Sequence, residues 1–173
     1  MKATKWENNS NLDWLENTYW YCPTEYMPAI QTQSETSFEQ VIDQTVWHIT
    51  GCNNGYFWGV CSALITPKNQ QPNPDNKEDM TIFGSITPDG QVHITFIHNA
   101  LSTTIGTGQL SKHQNQQSFE MQMSTGPTFN MAVHWAFMMQ ISPDDPEWEC
   151  LPGAGVSVEY MVGDIPAPSE SMG

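Results

Sequence analysis

Proton-transfer chemistry needs an acid and a base whose pKa values are set apart by their surroundings, and in this sequence side chains of the right type fall inside strand-like segments. Asp43, His48, His93, Glu120 and His134 are the candidate catalytic residues. Glu159 is a further acid in a strand-like segment, His98 closes another, and His113 lies in a polar loop. Asp43 and His48 stand five apart, so in an unbulged strand they face opposite sides and form no dyad. Pairs across strands, His93 with Glu120 or His134 with Asp43, are the arrangements that would serve. A metal site is poorly supported, because neither H-x-H nor H-x-x-x-H occurs. Nucleophilic catalysis has no local signature either, since G-x-S-x-G is missing and no Cys has a cation beside it. Ile105-Gly106-Thr107-Gly108 lacks the third glycine and following helix of a dinucleotide cradle. No cofactor is therefore expected.

Aromatic density is the strongest positive feature. Trp20, Tyr21, Trp47, Trp58, Phe83, Phe96 and Trp135 are the candidate ligand-binding residues, although much of this set must serve as core. A pocket of aromatic faces, thioethers and neutral polar groups suits a small, hydrophobic, neutral or cationic molecule.

The segments that must position these groups read as β structure. Residues 41–50 and 56–65 are rich in β-branched and aromatic side chains and are joined through Asn54-Gly55, a hairpin signal. Residues 80–87 and 91–98 flank Pro88-Asp89-Gly90, and 103–111 with 118–124 make a third pair across a polar connection. In 131–141, Val133, Trp135, Phe137, Met139 and Ile141 recur at period two. Residues 15–22 and 156–162 complete about nine strands. Two stretches read as irregular: 67–79, a solvated loop, and 23–40, whose Tyr26, Met27, Ala29, Ile30 and Phe38 fit a flap or an end plug. Sequential hairpins describe a meander, which loses its edges by closing; the expected fold is an all-β, antiparallel up-and-down barrel of 8–9 strands, with a sandwich as runner-up. One domain spans 1–173, with irregular tails at about 1–12 and 164–173.

With the aromatic-rich first strand Thr18-Tyr19-Trp20-Tyr21, this meander resembles the calycin-type small barrels, lipocalins and avidins. The Gly-x-Trp of lipocalins is absent, as is any Arg. The resemblance implies a small ligand held in the barrel interior.

Charge narrows the partners. Nineteen Asp and Glu against five Lys and no Arg give a net charge of −14, which disfavours nucleic acid and anionic membranes. All five Lys fall in loops or at the N-terminus, so no cation is expected inside the barrel. Asn and Gln together supply twenty-five residues against twenty-four charged ones, so polarity here is mostly uncharged. Four Cys without C-x-x-C spacing read as reduced thiols, and the N-terminus lacks a signal-peptide apolar run, so a cytoplasmic location is expected. The expected function is a cofactor-independent isomerase, cyclase or lyase. A non-catalytic ligand- or carbohydrate-binding barrel is the alternative, and surplus aromatics also allow a homodimer.

Overall fold

The computed structural model describes residues 12–23, 28–34, 37–99, 102–113, 116–125 and 132–168. Nine strands run in chain order: β1 (Thr18–Tyr21), β2 (Pro28–Ser34), β3 (Ser37–Asn53), β4 (Tyr56–Pro67), β5 (Glu78–Ile86), β6 (Gln91–Asn99), β7 (Ser102–His113), β8 (Gln116–Thr125) and β9 (Ala132–Ile141). The hairpins form where the turn chemistry placed them. Asn54 and Gly55 both take positive φ, 52° and 81°, as the tight β3–β4 turn requires, and Gly90 does so at 86° in the β5–β6 turn.

Each strand pairs antiparallel with its successor from β3 through β9. Closure is made between β9 and β3 by β1 and β2 together. β1 pairs with the end of β3 (Trp20 opposite Trp47) and with β9 (Tyr21 opposite Met139). β2 pairs with the start of β3 (Ala29 opposite Val41) and with β9 (Ala29 opposite His134). The two short strands lie end to end in one position, so the barrel has eight positions filled by nine strands. This closed antiparallel barrel is compatible with calycin-like architecture.

Three segments differ from their sequence patterns. Residues 23–40 are not irregular throughout, because β2 and the start of β3 form a hairpin there; Tyr26 and Met27 lie outside the described residues. Residues 156–162 hold no strand but the short helix α1 (Val158–Val162), capped by Ser157, whose Oγ accepts from Tyr160 N at 3.1 Å. Glu159 is accordingly helical. The polar connection around Lys112 is mostly strand, since β7 runs to His113 and β8 starts at Gln116.

Side-chain alternation splits the apolar residues into two clusters. The barrel interior holds Trp20, Trp47, Ile49, Phe57, Ile82, Ile94, Phe96, Phe119, Met121 and Met138, all essentially without solvent contact. Its ring packing centres on Phe119, which sits 4.5 Å from Trp20 and 5.5 Å from Trp47 between centroids. A second cluster lies on the outer wall, where Trp148, Leu151, Val158, Met161 and Val162 cover Tyr21, Val46, Val60, Leu64 and Ile141 of β1, β3, β4 and β9. Gln44 fastens this C-terminal segment by accepting from Gly153 N at 2.6 Å while donating to Cys22 O at 3.2 Å.

Candidate acid-base site at the upper end of the barrel

The two ends of the barrel interior differ in chemistry. At the lower end, near the β3–β4 turn, the 3-10 turn Asp13–Leu15 inserts Leu15 beneath Trp20, whose indole N–H donates to Thr18 Oγ1 at 2.8 Å. Aromatic rings fill the middle. At the upper end, where β3 and β9 begin, inward positions carry Asp43, Thr45, Glu78, His98, Thr104 and His134. Ala29, Ala63 and Ala136 stand among them, so the wall at this level is small or polar where the level below is aromatic.

Asp43 is the most enclosed carboxylate at this end, only 6% exposed. Its position follows from the inward alternation of β3, in which Asp43, Thr45, Trp47 and Ile49 share a face. Its Oδ1 accepts from Thr45 Oγ1 at 2.7 Å, and its Oδ2 lies 3.6 Å from His134 Nδ1. His134 reaches Asp43 past β2, whose residue at that level is only an alanine: Ala29 is in register with both Val41 and His134. The same His134 Nδ1 is 3.3 Å from Trp135 O, so both neighbours of the ring sit at one nitrogen. Asp43–Thr45 also face the junction between β1 and β2, because Tyr21 is opposite Val46 and Pro28 is opposite Ile42.

A second His–carboxylate pair occupies the opposite wall. Glu78 Oε1 lies 2.8 Å from His98 Nδ1, and His98 Nε2 lies 2.8 Å from Thr104 Oγ1. The hydrogen bond from His98 is the main reason that the Glu78 carboxyl is held below its ordinary value, against the opposing effect of burial. On β3, two positions from Thr45, Trp47 Nε1 is buried with no hydrogen-bond partner among the described residues, which leaves a donor in the interior.

Comparison with family models, with curated proteins and with solved structures returned no match.

Of the residues singled out in the sequence, the structure brings together Asp43 and His134. His48 lies on the outer wall, stacked on Tyr19 at 4.0 Å with an 11° interplanar angle, and burial lowers its pKa. Its strand parity, opposite to Asp43, accounts for this. His93 and Glu120 are exposed on the outer face, with β7 between their strands: His93 is opposite Thr107 and Glu120 is opposite Gln109. Trp20, Trp47 and Phe96 face the interior; Trp58, Phe83 and Trp135 do not. Phe83 is 46% and Trp135 70% exposed, while the Trp58 indole covers Gly51 outside. Tyr21 is beneath the C-terminal segment, where burial and the carboxylates Glu147 and Asp145 push its phenol up to about 12.

Sequence reasoning missed Glu78, His98 and Thr104 as a unit. The polar composition of 67–79 reads as a loop and takes in Glu78, whereas β5 begins with it. The signal was alternation carried two residues further: Met80 and Ile82 face inward, as do Ile94 and Phe96, which leads to Glu78 and His98. Among the described residues, no group of three metal-ligating side chains gathers.

Proposed function

We propose that the upper end of the barrel binds a small, neutral or cationic organic molecule and moves a proton on it without a cofactor, in an isomerase, cyclase or lyase type of reaction. The observation that carries this reading is the Asp43–His134 pair, drawn from two strands far apart in sequence and enclosed to 6% and 14% exposure. Carboxylates are seldom buried unless paired, and an apolar residue at position 43 would pack the barrel at no desolvation cost. Both ring neighbours lie at His134 Nδ1, so Nε2 is the atom assigned to proton transfer, with Asp43 orienting the ring and stabilising its protonated form. Thr45 holds the carboxylate, and Trp47 Nε1 offers a donor to an oxygen of the ligand. Glu78 at the upper rim adds a negative charge that disfavours anionic substrates.

The carbohydrate-binding alternative wants a continuous exposed aromatic stripe. On the outer face Trp58 of β4 is directly opposite Phe83 of β5, with Tyr56 further along β4, while Trp135 stands apart on β9, so the described aromatics form one short patch and a separate ring rather than a continuous stripe.

The test is incorporation of solvent deuterium into the C–H bonds next to the carbonyl of a panel of small uncharged ketones, read by NMR. His134→Gln is expected to slow incorporation by about 100-fold or more, the contribution of a positioned base, and Asp43→Asn by less. Incorporation at the same rate by the wild type and both variants, all folded, refutes the reading.

A further inference from the structure

The wall opposite His134 carries a chain of three side chains that the proton-transfer reading does not require. Glu78 on β5, His98 on β6 and Thr104 on β7 come from three adjacent strands and are joined by two contacts of 2.8 Å. Exposure falls along the chain, from 54% for the Glu78 side chain through 11% for His98 to 7% for Thr104. The carboxylate thus meets water at the rim while the hydroxyl faces the interior. The neutral imidazole has one donor and one acceptor nitrogen. A carboxylate at Nδ1 takes the N–H, which fixes the tautomer and leaves the Nε2 lone pair on the Thr104 hydroxyl proton.

Backbone geometry supports a built arrangement rather than a chance one. Ile97 is opposite Thr103 and Asn99 opposite Ser102, so β6 has one residue more than β7 at this point, and the residue without a partner is His98. A bulge of this kind re-aims a side chain and locally disrupts the ladder. Here it belongs to the histidine that links the other two. Phe96, directly opposite Thr104, supplies an apolar floor beneath the hydroxyl.

We propose that Glu78, His98 and Thr104 form an orienter–base–nucleophile triad, with Thr104 Oγ1 attacking the acyl carbon of a small uncharged ester. As the Oγ1–C bond forms, the hydroxyl proton passes to His98 Nε2 and Glu78 stabilises the imidazolium. The C–O bond to the leaving alcohol then breaks, and the alcohol takes the proton from Nε2. Water hydrolyses the threonyl ester by the same route, giving its proton to Nε2 and the acid product to solvent, with the last proton returned to Oγ1. No oxidant or cofactor enters. Glu78 at the rim disfavours anionic esters.

The test uses the full chain and a biotinylated alkyl fluorophosphonate. It forms an O–P bond with an activated hydroxyl while fluoride leaves and the hydroxyl proton departs through Nε2. Peptide mass spectrometry is expected to place one adduct on Thr104. Thr104→Ser keeps the labelling, Thr104→Val abolishes it, and His98→Gln slows it by about 100-fold or more. His93→Gln, on the outer face, labels at the wild-type rate. A wild-type protein that is not labelled, an adduct on another residue, or equal labelling of folded Thr104→Val overturns the proposal. If Thr104→Val does not fold, the position of the wild-type adduct and the behaviour of Thr104→Ser decide it. The readout is independent of deuterium exchange at His134, so each proposal fails separately.

Discussion

Whether Asp43 and His134 act as one unit is decided by a double-mutant cycle. For the charged form of the imidazole, a 3.6 Å separation corresponds to a gross attraction of about 5 kcal/mol at an effective dielectric constant of about 20. Solvent at the barrel end and relaxation of the single variants reduce this, and the separation is too long for a hydrogen bond, so the coupling is expected at about 1–2 kcal/mol. Asp43→Ala also leaves Thr45 Oγ1 without its acceptor at 2.7 Å, which brings the cost of that single change to about 2–4 kcal/mol. His134→Ala is milder, because Asp43 keeps Thr45. Urea unfolding of the wild type, both single variants and the double variant at pH 5, below the ordinary imidazole value of about 6.5, followed by far-ultraviolet circular dichroism, measures the coupling. A coupling below about 0.3 kcal/mol, the level of additive sites, would show that the two side chains are neighbours without interaction, and the proposed acid–base role would lose its basis.

Two further outcomes test the fold and the rim. Trp148, 5% exposed and set edge-on to Tyr19 at 4.9 Å, anchors the C-terminal segment; Trp148→Ala is expected to cost about 3–5 kcal/mol in urea unfolding. Because the Glu78 carboxyl is held below its ordinary value by His98, it contributes stability above the unfolded value that is lost as pH falls through the folded one. Glu78→Gln should therefore lower stability at neutral pH and flatten its acid limb, as read by chemical unfolding from pH 6 down; an unchanged limb contradicts the pairing.

The hairpin turns and period-two runs made the barrel legible, because Asn54-Gly55 and Gly90 need the positive φ that they adopt. The Asp43–His134 pair was legible as one of two cross-strand options, but choosing between them required knowing that β3 and β9 face each other across β2. That depends on closure, a long-range property with no local signature. β2 was hidden because its Gln, Thr and Ser residues resemble a loop. α1 was misread because Val158, Met161 and Val162 follow an i, i+3, i+4 pattern that a count of β-branched residues overlooks. Candidate aromatics divided by parity: even positions of β4 and odd positions of β5 and β9 point outward, which took Trp58, Phe83 and Trp135 away from the interior.

Sharing one barrel position between two short strands gives the molecule two separate latches. The lower latch, β1, is overlaid by the C-terminal segment and backed by the Leu15 plug, whereas the upper latch, β2, joins β3 and β9 beside Asp43 and His134. Releasing β2 would widen the seam at the acid–base pair while β1 keeps the lower half shut. A barrel wall continuous from end to end would have to part along its whole length to admit the same guest.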